Sequence, residues 1–140
     1  MFMNEKSRPG VGIGVLVKNG DKILLGERIS AHGAGTFQIP GGHLEFGESF
    51  EECAVREAKE ESGVTSRAVK VISVSNDISY EKHYVSIGVL TEYVEGEARD
   101  AEPEHSKNWQ WVDPHNLPEN MFPHSKKIIE NWLSGNIYNP

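Results

Sequence analysis

Three glutamates, Glu57, Glu60 and Glu61, have the types and spacing to do chemistry. On a helix they share one arc of about 100° with Phe50 and Cys53, beside Ala54 and Ala58. Glu52, Arg56 and Lys59 take the outer face. The three carboxylates therefore straddle the apolar edge instead of facing away from it. Glu57 and Glu61 are also like charges one turn apart, which costs an isolated helix about a few tenths of a kcal/mol. A hard divalent cation would relieve that repulsion. Oxygen ligands on adjacent turns suit Mg²⁺ or Mn²⁺, and such sites keep waters and bind substrate phosphates. A solvated acidic face explains the same cluster, and these residues alone leave both readings open.

The helix that must carry them has clear boundaries. Ser49 can cap its start, Glu52 at the third helical position completes a capping box, and Gly63 supplies a left-handed exit. A helix is expected over about 50–62. Upstream, Val11 to Val17 reads as a mostly buried strand, Asn19-Gly20-Asp21 as a turn and Lys22 to Arg28 as the returning strand. Thr36 to Ile39 is a short strand ended by Pro40-Gly41-Gly42. Downstream, strands are expected over Ala68 to Asn76, His83 to Tyr93 and Asn108 to Val112, with a polar loop over 95–106. Pro123 to Leu133 is a second helix closed by Gly135. Two helices far apart among several strands predict an α+β fold, a mixed-sheet sandwich with a helix on each face. Residues 1–9 read as a loose tail and residues 10–140 as one domain.

Composition narrows the function classes. The chain has 140 residues, enough for one domain with a real core. Twenty-one acidic against 14 basic residues give a net charge of −7, the wrong sign for a general binder of nucleic acid polymers. An anionic substrate would need a local cation. The single cysteine, Cys53, excludes an internal disulfide and fits a reducing compartment. The longest apolar run, Val11 to Val17, is broken by Gly12 and Gly14, so no membrane span is expected, and 1–9 is no secretory signal. A cytoplasmic protein without a membrane partner is expected.

The wider motif is more specific than the acidic cluster. Gly42 is followed by five residues, Glu48, seven residues and then Arg56-Glu57-Ala58-Lys59-Glu60-Glu61-Ser62-Gly63-Val64. This resembles the signature of the Nudix hydrolases, with Ala58 a small occupant of an aliphatic position. The stretches Leu24 to Arg28, Gly33 to Glu48, His83-Tyr84-Val85, Glu102-Pro103-Glu104 and Trp109 to Val112 further resemble a MutT-type subgroup of nucleoside triphosphate diphosphatases, similar to the human thiopurine-nucleotide enzyme.

The resemblance implies an α/β/α sandwich and a set of roles. Glu57, Glu60 and Glu61 would bind divalent metal, Mg²⁺ with Mn²⁺ as substitute, and the Gly42 carbonyl would add a ligand. Glu57 matches the position that polarises the attacking water, aimed at the β-phosphorus of a triphosphate. Arg56 would pair with Glu48 and hold the loop, and Gly63 closes the motif. Outside the signature, Arg28 could hold a phosphate, Gln38 read a base edge, and Phe37 and Trp109 stack on a base. Glu104 could be an extra metal ligand. Each has an ordinary alternative: a surface charge for Arg28 and Glu104, core packing for Trp109 or Trp111, which share a face. His32, His43 and His83 lie near the expected site without an assigned role, and Cys53 reads as packing. The expected reaction is hydrolysis of a nucleoside triphosphate to monophosphate and diphosphate, by a homodimer on resemblance alone. Tyr80 is a weak marker of a dinucleoside polyphosphate branch. Other diphosphate-linked substrates and a non-catalytic nucleotide-binding domain remain the alternatives.

Overall fold

The computed structural model describes residues 8–30 and 32–140. Of the expected tail, residues 1–7 lie outside the described residues; Arg8 and Pro9 are exposed. Among the described residues seven strands form one sheet: β1 (Gly10–Asn19), β2 (Lys22–Arg28), β3 (Phe37–Gln38), β4 (Gly41–His43), β5 (Thr65–Ser79), β6 (Lys82–Glu95) and β7 (Ser106–Val112). Helix α1 (Phe50–Ser62) follows β4, and α2 (Pro123–Ser134) follows β7. The main path runs β3-β2-β1-β6-β5, with β4 added to β1 and β7 to β2. β1 and β6 are parallel and the other pairs antiparallel, so the sheet is mixed as expected.

Each face of the sheet carries one helix. Cys53, Ala54 and Ala58 of α1 pack on Ile13, Val15, Val17 and Val89. Ile128 and Ile129 of α2 pack on Leu16, Ile23, Leu25 and Leu90 on the other face. Consecutive residues of β1 thus feed opposite cores, as period-two strands require. The expected sandwich is the observed one.

Two details differ from the sequence reading. Pro40-Gly41-Gly42 does not simply end a strand: Gly41–His43 is a strand of its own, paired with Gly12–Gly14 of β1. A three-residue strand rich in glycine has no side-chain pattern to betray it, and its pairing comes from β1. Strands β5 and β6 are also longer than expected, joined by a two-residue turn at Tyr80-Glu81. The two strands pair along their whole length, from Thr65 with Glu95 to Ser79 with Lys82.

The same pairing opens the site. β1 pairs with β2 only at Lys18 and Asn19, next to the Gly20-Asp21 turn, and with β4 at Gly12–Gly14. β1 and β2 therefore diverge beyond the hairpin. Residues of α1 and of α2 both reach the fork between them, and a cavity of about 560 Å³ lies there.

Candidate active site

Helix α1 is set by local chemistry before any packing. The Ser49 hydroxyl accepts from the Glu52 amide at 3.0 Å, and the Glu52 carboxylate accepts from the Ser49 amide at 3.0 Å. This is the capping box the sequence predicts. Gly63 ends the helix at φ 76°, in the left-handed region.

With the ends fixed, the carboxylates sort by depth. Glu61 is buried at 7% exposure, the Glu57 side chain is 12% exposed and the Glu60 side chain 47%. One Glu61 oxygen, Oε1, accepts from the Gly41 amide at 3.3 Å. The other, Oε2, is buried and has no hydrogen-bond partner. Glu57 lies against Gly42, where any Cβ would collide with its carboxyl group. Gly42 thus gives the Glu57 carboxyl room that any side chain there would take.

Arg56 organises the rest. Its Nε and Nη2 donate to the two Glu48 oxygens at 2.7 and 2.9 Å. Its Nη1 reaches Glu57 at 2.9 Å and Glu60 at 3.2 Å. Such a fork is what guanidinium geometry favours. The fork holds the Glu48 carboxyl down at about 2. Burial does the opposite to Glu57 and Glu61. Desolvation raises both above the ordinary carboxylate range, and for Glu61 the adjacent Glu57 adds to it. Two buried carboxyls in contact hold a proton more readily than either would alone.

A buried carboxylate oxygen with no partner is costly. Two such carboxylates side by side, with oxygen-only donors, fit a hard divalent cation better than a soft one. Among the described residues no three His, Cys, Asp or Glu side chains converge into a ready-made cage. Glu60 is turned to Arg56 and would have to leave it to complete one.

The other candidate residues divide. Arg28 and Gln38 both line the cavity and bond to each other through Arg28 Nη1 and Gln38 Oε1 at 2.5 Å. Arg28 also donates to the His32 carbonyl at 2.9 Å and lies 4.1 Å over the Phe122 ring. Burial lowers its pKa, and the charge of Glu61 opposes that. Gln38 therefore acts first as a brace for Arg28. Phe37 and Trp109 stand elsewhere, around a separate shallow depression with Glu27 and Gln110. Trp109 is buried on Gly26, and its indole donates to the Ser106 hydroxyl at 3.1 Å. Its neighbour Trp111 packs in the same core, edge-on to Tyr93. Strand β7 thus spends its aromatic rings on the core, and the geometry does not bring Phe37 or Trp109 to the carboxylates.

Glu104 is exposed, 3.9 Å from His105, and does not line the cavity. Glu102 does, and its charge is felt by Glu61. The loop carries both residues, and sequence alone had no means to choose between them. The cavity is also lined by residues the sequence reading does not single out, among them Tyr84, Phe122, His124 and Ser125. The Tyr84 hydroxyl lies 3.0 Å from His43 Nε2, and His124 pairs with Ser79 at 3.0 Å. Tyr84 comes from β6, and Phe122, His124 and Ser125 from the start of α2, where no recognised motif marks them. Cys53 is fully buried, and burial pushes its thiol up to about 12, which fits packing and not nucleophilic attack.

The model of the NUDIX domain matches residues 8–132. An ADP-ribose pyrophosphatase of Methanocaldococcus jannaschii is 33% identical over 127 residues, covering 89% of this chain and 73% of that protein. An RNA pyrophosphohydrolase of Novosphingobium aromaticivorans is 29% identical, covering 86% of each. A solved MutT NUDIX hydrolase from Burkholderia pseudomallei superposes with a TM-score of 0.81 at 29% identity, over 89% of this chain and 98% of that one.

Proposed function

The chain belongs to the Nudix family, and on that premise we propose that it hydrolyses a nucleoside triphosphate to the monophosphate and diphosphate, using a divalent metal. The observation that carries this is the Glu57–Glu61 pair, buried at the cavity with one orphaned oxygen and pinned by Arg56 and the Gly41 amide. Bound there, Mg²⁺ or Mn²⁺ would neutralise phosphate oxygens and lower the pKa of water. Glu57, Glu60, Glu61, Glu102 and the Gly42 carbonyl are the groups that would hold it. The remaining work falls to this chain's own groups. Glu57 takes the proton of the attacking water. Arg56, anchored on Glu48, keeps Glu57 aimed through its Nη1 hydrogen bond. Arg28 faces the same cavity and uses three of its donors on His32, Gln38 and Ser30. That leaves guanidinium N–H groups for a phosphate oxygen.

The net charge of −7 favours a free nucleotide over a polymer. A second reading is hydrolysis of ADP-ribose, favoured by the archaeal relative of that name. Turnover of deoxynucleoside triphosphates, oxidised and methylated forms, dinucleoside polyphosphates and ADP-ribose, each with Mg²⁺ and Mn²⁺, separates the two. The triphosphate reading expects monophosphate and diphosphate at the highest kcat/KM. Preference for ADP-ribose would replace it, and turnover that persists in EDTA would overturn both.

A further inference from the structure

An α-helix leaves its final carbonyls without a partner inside the helix. In α1 the Gly63 amide takes the carbonyl of Lys59. The carbonyls of Glu61 and Ser62 are taken by the loop between β6 and β7. The Arg99 amide donates to the Ser62 carbonyl at 2.9 Å, and the Ala101 amide to the Glu61 carbonyl at 3.2 Å. That loop therefore finishes the helix that carries the glutamates of the site.

The contact is close because glycines make it. Gly96 sits at φ 102°, and a Cβ there would stand 2.7 Å from the Gly63 carbonyl oxygen. A Cβ on Gly63 would stand 2.7 Å from Arg99 Nε, so the arginine side chain lies across the helix exit. Its charge suits the negative end of the helix. The loop is also tied down on either side. The Tyr93 hydroxyl donates to the Gly96 carbonyl at 2.8 Å, Ala98 packs on the core under α1, and Asp100 Oδ1 accepts from the Trp109 amide at 3.4 Å. The next residue after Ala101 is Glu102, which lines the cavity with Glu61. Capping the helix explains these bonds in part. It does not explain why the bonded carbonyl is that of Glu61 and the last clamped residue is the one before Glu102. A carboxylate carried on a loop is a useful ligand only when its support is rigid.

We infer that the clamp of residues 96–101 on Gly63 is a positioning device for the metal: Gly96 and Arg99, neither of which lines the cavity, hold Glu102 in register with Glu61. The inference rests on the metal-dependent reading above and extends it to residues outside the cavity.

The test titrates Mn²⁺ into the metal-free protein and reads the free ion by electron paramagnetic resonance, at a temperature where melting curves show each variant folded. Glu102→Gln and Gly96→Ala should each raise the Kd for Mn²⁺ by about ten-fold, the lower end of what losing a ligand's orienting partner costs. Arg99→Ala should raise it in the same direction by less, and it serves as the comparison if Gly96→Ala does not fold. Combining either loop change with Glu102→Gln should raise Kd no further than Glu102→Gln alone, because both act through one carboxylate. Loss of stability alone would not produce that dependence in folded protein. Amide hydrogen exchange at Arg99 and Ala101 should quicken in Gly96→Ala, which shows the clamp released. Wild-type Mn²⁺ affinity with the clamp released would overturn the inference alone, as would fully multiplying losses in the combined variants. A wild type that binds no Mn²⁺ would overturn the metal-dependent reading and the inference with it.

Discussion

Glu57 and Glu61 sit where like charges do most harm, one turn apart and both withdrawn from water. Burial and mutual repulsion favour a shared proton in the protein alone. Replacing either by Gln keeps the volume and removes an anionic oxygen. Each variant should lose about 100-fold or more in kcat, while its melting temperature stays level or rises. Steady-state kinetics and a thermal melt on the same preparation check both halves. The loop before β7 offers a sharper comparison. Glu102→Gln should weaken the apparent affinity for Mn²⁺, and Glu104→Gln should not, because only Glu102 lines the cavity; activity titrated against Mn²⁺ distinguishes them. The inward turn of Glu57 and Glu61 was legible from sequence because helical spacing fixes a face; Glu60 is 47% exposed and turned to Arg56 instead. Trp109 was not legible, because a tryptophan suits a core and a base pocket equally well. Only the pairing of β2 with β7, which lays its ring on Gly26, decides between them.

Helix α1 was readable to its last residue, since Ser49, Glu52 and Gly63 write its ends in local chemistry. Removing that cap through Ser49→Ala should cost about 1 kcal/mol, read by urea denaturation. Strand β4 was not readable, because Gly41 and Gly42 carry no pattern, and the need for them arises from Ile13 and Glu57 across space. Helix α2 places His124 against Phe122, Tyr84 and Ser79, with Asp77 and Arg28 nearby. Burial lowers the pKa of His124, outweighing the raising effect of Asp77. The unfolded chain then binds the proton more readily than the folded one. Stability should be full above the ordinary histidine value of 6.5 and fall as pH drops below it toward the folded value. In His124→Asn that decline should be shallower, as measured by denaturation at a series of pH values from neutral to mildly acidic.

At the scale of the whole molecule, both helices meet at one fork in the sheet. Parallel pairing of β1 with β6 and the divergence of β1 from β2 let both helices reach the same cavity. The α1 side supplies carboxylates and the α2 side supplies rings. The fold class was legible from strand and helix order, but the fork was not, because it depends on which strands pair and where they stop. Among the described residues no helix is long and apolar enough to cross a membrane. The central claim is that these carboxylates direct water at an internal phosphorus of a nucleoside triphosphate. Hydrolysis in ¹⁸O-labelled water, followed by mass analysis of both products, tests it most directly. The account predicts label in the diphosphate and an unlabelled nucleoside monophosphate, with both products formed about 100-fold more slowly in Glu57→Gln. Label in the monophosphate, or release of inorganic phosphate with a nucleoside diphosphate, would contradict it.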